Sequence, residues 1–218
     1  MDAHESLPAE VVEGASGTGR TEAFSDGVFA IAITLLALEL RVPEIEEAGT
    51  LLQALAGQWP AYLAFLLSFV TALIMWANHH RMFNYIERSN FTFMLLNGLL
   101  LLGITVVPFA TSLMADYLAH PPDDTIAALV FNGTFTVTAV LFNVLWGYAV
   151  RNDLLDKRLP PEFGENITRQ YRFGPLLYLA AFLAALISVP LSILLNVGLA
   201  LFFALPPSLV RRLVGRGN

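Results

Sequence analysis

The feature that most constrains this chain is a series of uncharged apolar runs, each long enough to cross a bilayer. A helix needs about 20 mainly apolar residues to span the hydrocarbon layer. Residues 21–41 (TEAFSDGVFAIAITLLALELR), 59–80, 92–117 and 125–150 each meet that length. The stretch 174–210 carries no charge over its 37 residues, too many for one span, and Pro190 sits near its middle. It reads as two helices, 174–190 and 192–210, joined by a tight turn. Only 14% of residues are charged, against about 25% in soluble domains, and those charges gather between the runs. The fold class is an all-α integral membrane protein with six transmembrane helices. A single domain, 19–212, lies between a disordered tail, 1–18, and a short end, 213–218.

Charge placement orients the spans. With six spans both termini share one side. That side holds Arg20, Arg81, Arg88, Arg151, Lys157, Arg158, Arg169, Arg172, Arg211, Arg212 and Arg216, while the other holds only Arg41. A bias of eleven against one places both termini in the cytoplasm. Glu39, Glu44, Glu46, Glu47, Asp116, Asp123 and Asp124 fall outside, so the net charge of −6 lies on the outer face. A negative outer mouth would raise local cation concentration, although polar outer loops are also common without that role.

The segments between the runs are short. The N-terminal stretch MDAHESLPAEVVEGASG is acidic and lacks the apolar core of a signal peptide. Residues 50–58 (TLLQALAGQ) suit a short interfacial helix before the second span. Residues 151–172, with Pro160-Pro161, read as an extension of the fourth helix, a turn and a surface stretch.

The first span separates into two faces. At about 100° per residue, with Ile31 at zero, Phe24, Gly27, Thr34, Leu35 and Leu38 fall within about 60° of it, and Asp26 falls about 140° away. An aliphatic stripe on a membrane helix ordinarily faces lipid or packs against a neighbour. The sharper alternative is a hydrophobic constriction that gates a pore by dewetting. Asp26 is costly within a span and requires a partner. Arg20, Trp76, His79 and His80 all lie near the same inner boundary. A network in which the Trp76 indole N–H serves Ser25 and Asp26 is preferred, with a proton-relay role for Asp26 as the alternative.

A metal site is not expected. Adjacent histidines project about 100° apart on a helix, and no further ligand-bearing residues cluster near His79 and His80 in the sequence. The chain has no cysteine, hence no disulfide and no thiol chemistry. It has no TVGYG-type filter, no glycine-rich phosphate loop with Lys, no HExxH and no nucleophile–base pair. Neither catalysis, a cofactor nor a nucleic-acid partner is expected.

Arg20-x-x-x-Phe24-Ser25-Asp26, followed by GVFAIAITLLALEL, resembles the signature of the endosomal/lysosomal-type potassium channel family in its short bacterial form. The stretch WANHHRMF at 76–83 is similar to that family's second-helix motif. The resemblance implies a homotetrameric cation channel of the bacterial plasma membrane, with a central pore lined by the first helix of each subunit. Ile31 would form the narrowest apolar ring, Leu35 and Leu38 further rings, and Thr34 a hydroxyl layer. K⁺ would pass transiently by Ile31 and Thr34. Arg20, Phe24, Ser25 and Asp26 would join Trp76 and His79 or His80 in holding the helix. The rival reading is a secondary or proton-coupled cation transporter, which normally shows broken helices and internal repeats.

Overall fold

The structure, a computed structural model, describes residues 16–43, 49–158 and 161–204. The expected chain end 213–218, the acids Glu44, Glu46 and Glu47, the bases Arg211, Arg212 and Arg216, and the end of the last helix beyond 204 lie outside the described residues. The chain forms α1 (Gly19–Leu35), a 3-10 turn (Leu36–Glu39), α2 (Leu51–Gly57), α3 (Trp59–Phe83), α4 (Phe91–Tyr117), α5 (Asp123–Arg151), α6 (Pro161–Ala185) and α7 (Val189–Ala204). Two short strands, β1 (Ser16–Gly17) and β2 (Arg88–Ser89), pair antiparallel.

Four helical segments have the length and composition to cross a membrane: Gly19–Glu39, Trp59–Phe83, Phe91–Tyr117 and Asp123–Arg151. Shorter apolar helices run over Tyr171–Ala185 and Val189–Leu201.

The helix boundaries follow local chemistry. The Asn90 side chain accepts from the Phe93 backbone N–H at 2.9 Å and starts α4. Thr50 does the same for α2, accepting from Gln53 N–H at 3.3 Å. Pro60 occupies the first turn of α3, where its missing N–H costs nothing.

Four expectations need correction. The 1–18 tail is ordered at its end, because β1 pairs with β2 in the register Ser16↔Ser89 and Gly17↔Arg88. The first span does not remain α-helical to residue 41; it tightens to a 3-10 turn after Leu35. The break in the long apolar stretch falls at residues 186–188, and Pro190 belongs to the first turn of α7, where proline is well tolerated. The segment 151–172 is mostly helix: α5 stops at Arg151, and α6 starts at Pro161, again a proline in a first turn.

The α5 helix is central. It packs along α4 on one side and α6 on the other, and α7 folds back against α6 and α3. Phe131, Phe135, Phe142 and Trp146 of α5 are buried in that core. Lipid tails are as apolar as leucine, so close packing and buried polar pairs hold such helices together. Ser68 and Thr111 bond across α3 and α4 at 2.6 Å. Asn132 donates to Ser192 at 3.0 Å and accepts from Asn196 at 2.8 Å, while Ser192 donates to the Ala181 carbonyl at 2.8 Å, joining α5, α6 and α7. Gly103 of α4 lies where a Cβ would sit 2.7 Å from Thr138 Oγ1, so its missing side chain permits the close approach to α5.

The two ends of the bundle differ. At one end, β1 and β2 meet the α5–α6 loop. Ile86 bridges Leu155, Arg88 donates to the Asp153 carbonyl at 2.6 Å, and Thr18 donates to the Ile86 carbonyl at 3.2 Å. At the other end, Arg41 pairs with Asp116 at 3.3 Å. Arg20, Arg88, Arg151, Lys157 and Arg158 therefore group at the first end, away from Arg41.

Candidate functional site

The α1 helix is the least covered of the four long apolar helices. Within its apolar window 22% is buried, against 39%, 39% and 44% for α3, α4 and α5. It touches α3 and α4 along one side. That side carries Ser25, Phe29, Ala32 and Leu36, at the four-three-four spacing of one helical face.

The other side carries the stripe. Phe24, Gly27, Ile31, Thr34, Leu35 and Leu38 are all exposed. Ile31 is 62% exposed and Leu38 70%. A 3-10 turn advances about 120° per residue, so the three steps from Leu35 to Leu38 complete about one circle and keep Leu38 on the stripe. The Thr34 hydroxyl donates to the Ile31 carbonyl at 2.8 Å. Its oxygen lone pairs remain available on the exposed face. Ala23, Ala30 and Ala37 are exposed as well, which puts small side chains beside the large ones.

Polar contacts seat the buried face. Ser25, fully buried, donates to the Thr21 carbonyl at 2.8 Å and accepts from Asn97 Nδ2 at 2.9 Å. With that amide donating, Asn97 Oδ1 accepts, and the 2.9 Å contact to His79 Nε2 requires the His79 proton on Nε2. The donors thus run in one direction, from His79 of α3 through Asn97 of α4 to Ser25 of α1. His79 is itself enclosed by the rings of Phe29, Phe83 and Phe142, at centroid distances of 5.4, 4.5 and 6.2 Å.

A second set lies nearer the helix start. Trp76 Nε1–H donates to Asp26 Oδ1 at 2.9 Å. His80 Nδ1 meets Glu22 Oε1 at 2.9 Å, and its ring stacks on Trp76 at 6.0 Å. The seven anchor residues singled out in the sequence therefore split into groups: Ser25 with His79 through Asn97, Asp26 with Trp76 and His80 beside it, and Arg20 and Phe24 apart from all of them. Arg20 is exposed and makes no hydrogen bond or ion pair among the described residues, and Phe24 points outward with the stripe. Sequence reasoning missed Asn97, the hub of the buried chain, and Glu22, the partner of His80. Asn97 is the one polar side chain in FMLLNGLLLL, which was a usable signal.

Fold and site together define a helical membrane protein. Its first helix is anchored on one face by buried polar bonds and left uncovered by its own chain on the other. The family model for "Endosomal/lysosomal potassium channel TMEM175" matches residues 20–108, which contain both the stripe and the anchor. The chain is 51% identical over 193 residues to a potassium channel of Chamaesiphon minutus, covering 87% of this chain and 95% of that one. It is 38% identical over 187 residues to a potassium channel of Streptomyces collinus, covering 85% and 91%. Its structure matches the crystal structure of a TMEM175 homolog from Chamaesiphon minutus, described as a lysosomal potassium-selective channel homolog. The TM-score is 0.78 at 49% identity, with 86% and 96% of the two chains covered. The protein belongs to the TMEM175 family, a family of channels and not of enzymes.

Proposed function

We propose that the protein is a potassium-permeable cation channel in which α1 of four subunits lines a central pore. The observation that carries this reading is the uncovered stripe of α1, which holds Ile31, the Thr34 hydroxyl and the further apolar positions Leu35 and Leu38. Closed symmetry would gather four copies of that stripe around one axis. The naming of the Chamaesiphon and Streptomyces relatives as potassium channels supports the ion. On this reading α6 and α7 also cross the bilayer, giving six spans, both termini lie in the cytoplasm and the membrane is the plasma membrane. The grouping of basic residues at the β1–β2 end agrees with that orientation.

Ile31 offers no coordinating oxygen. An ion passes its ring hydrated, or it sheds part of its water. K⁺ sheds water more cheaply than Na⁺, so such a constriction favours K⁺ modestly, less than a carbonyl-lined filter does. Thr34 follows on the outer side, where four hydroxyl oxygens would face the ion. Arg20, Ser25, Asp26, Trp76, His79 and His80 have no place in this pathway; most of them fix the helix against α3 and α4.

Reversal potentials of the purified protein in planar bilayers, under opposed K⁺ and Na⁺ gradients, test the proposal. A shift toward the K⁺ equilibrium potential is expected. Current with no K⁺ preference refutes the selectivity, and transport without unitary current steps indicates a carrier.

A further inference from the structure

The inner end of α1 gathers a set of ligand-bearing side chains outside the pore-lining stripe. Glu22 and Asp26 are one turn apart on α1, which puts both carboxylates on one face. His80, from the last turn of α3, meets them. A carboxylate oxygen of Glu22, one of Asp26 and a ring nitrogen of His80 all lie within 4.8 Å of one another. From these positions we infer that Glu22, Asp26 and His80 bind one borderline divalent transition-metal ion of the Zn²⁺ class, clamping α1 to α3. The inference does not depend on what the channel conducts.

Charge is the first argument. Two carboxylates stand side by side, both partly buried, and neither is ion-paired to a Lys or Arg among the described residues. The His80 imidazole meets Glu22 at 2.9 Å. Like charges at this spacing destabilise a helix by a few tenths of a kcal/mol, and a divalent cation would remove that repulsion.

Geometry is the second. Three donors bound to one Zn²⁺ at about 2.1 Å in tetrahedral array sit about 3.4 Å apart. The His80–Glu22 pair is already closer than that, and the whole set lies within 4.8 Å, so small side-chain rotations would close it. The Asp26 carboxylate is oriented in advance: its Oδ1 takes the Trp76 indole N–H at 2.9 Å, which leaves Oδ2 for the ion. The His80 side chain is 50% exposed, so an ion has an open approach.

The donor chemistry is the third. One imidazole with two carboxylates suits Zn²⁺ and leaves a fourth position for water. Ca²⁺ requires 6–8 oxygens and fits poorly. Sequence reasoning rejected a metal site because it looked along α3 for ligands; two of the three come from α1.

Titration of tag-free, chelator-treated protein with Zn²⁺ by calorimetry tests the inference, with the melting temperature recorded at each Zn²⁺ concentration. Wild type should take up one ion per chain and melt higher as Zn²⁺ rises. Glu22→Gln and His80→Gln should each weaken uptake at least tenfold and lose most of the shift in melting temperature. His120→Gln, near Asp123 and Asp124 at the opposite end, should bind as wild type does. Glu22→Gln is isosteric and its side chain is only partly buried, so it keeps the test decisive if His80→Gln fails to fold. Absence of uptake by wild type at millimolar Zn²⁺, or uptake by Glu22→Gln equal to wild type, overturns the inference.

Discussion

Replacing Asn97 by Leu, alone and together with His79→Phe, tests whether the buried chain of donors holds α1 in place. Asn97 is 2% exposed and bonds to both α1 and α3. Leucine has nearly its shape and makes neither bond. The two former partners then fare differently. Ser25 still donates to the Thr21 carbonyl at 2.8 Å, so its hydroxyl remains satisfied. The His79 Nε2–H has no such fallback. It is fully buried, and its Nδ1 already has no partner among the described residues. A stranded buried donor costs about 1–3 kcal/mol, while polar couplings between membrane helices average about 0.6 and reach about 1.7 kcal/mol. The expected loss for Asn97→Leu is therefore about 1–2 kcal/mol.

The double mutant carries the decision. His79 lies among three phenylalanine rings, so a phenyl group suits its site. His79→Phe alone strands Asn97 Oδ1 and costs a comparable about 1–2 kcal/mol. Replacing both partners removes the donor and the acceptor together, which is close to neutral. The double mutant should be more stable than either single mutant. Unfolding in detergent, followed by tryptophan fluorescence against heat or added SDS, measures all four proteins. Losses that simply add in the double mutant would refute the directional chain.

Three further outcomes follow. Ile31→Asn should raise single-channel current and move the K⁺/Na⁺ reversal potential toward zero; unchanged conductance and selectivity would place Ile31 away from the narrow point. Gly103→Ala puts a methyl 2.7 Å from Thr138 Oγ1 and should cost about 1–3 kcal/mol in the same unfolding assay. Adding Thr138→Ala should recover most of that loss, since among the described residues the Thr138 hydroxyl bonds only to the Thr134 carbonyl of its own helix. Trp76→Phe removes the donor to Asp26 and keeps an aromatic ring beside His80; a loss of about 0.5–1.5 kcal/mol is expected, and melting at the wild-type temperature would show that the bond contributes nothing.

How much of this was legible in the sequence depends on which properties are additive along the chain. Length and apolarity are, so the long helices α1, α3, α4 and α5 could be placed within a few residues. Helix ends set by a single residue were harder. Pro190 and Pro161 were read as breakers, yet each sits in a first turn, where proline lacks only an N–H that has no helical partner. The Asp26–Trp76 bond was legible because both residues belong at one membrane depth. The Asn97 hub was not. Its side chain was visible as the polar exception in an apolar run, but nothing local says which neighbours it faces. Glu22 and His80 failed for the same reason, being 58 residues apart in sequence and 2.9 Å apart in space.

The composition of the α1 stripe bears on what covers it. An exposed apolar face on a membrane helix is ordinarily met by lipid, and α4 offers a comparison. Its uncovered face is mainly large and apolar, with Leu95, Leu99, Leu102, Val106 and Phe109, and Gly98 and Thr105 are its small residues. The α1 face is richer in small residues. Ala23, Gly27, Ala30, Thr34 and Ala37 alternate with Phe24, Ile31, Leu35 and Leu38. Acyl chains do not need small residues, whereas a second helix does, because they let backbones approach. Nor does lipid need a buried polar chain holding the reverse side in fixed rotation. Turning α1 about its axis would break the Ser25–Asn97 bond before it moved Ile31 far. The anchor therefore sets which residues face outward, and the small side chains there leave room for a second helix, as the proposed pore requires. On the proposed pore reading, Ser25 and Asp26 matter to the stripe by seating α1 and not by lining the pathway.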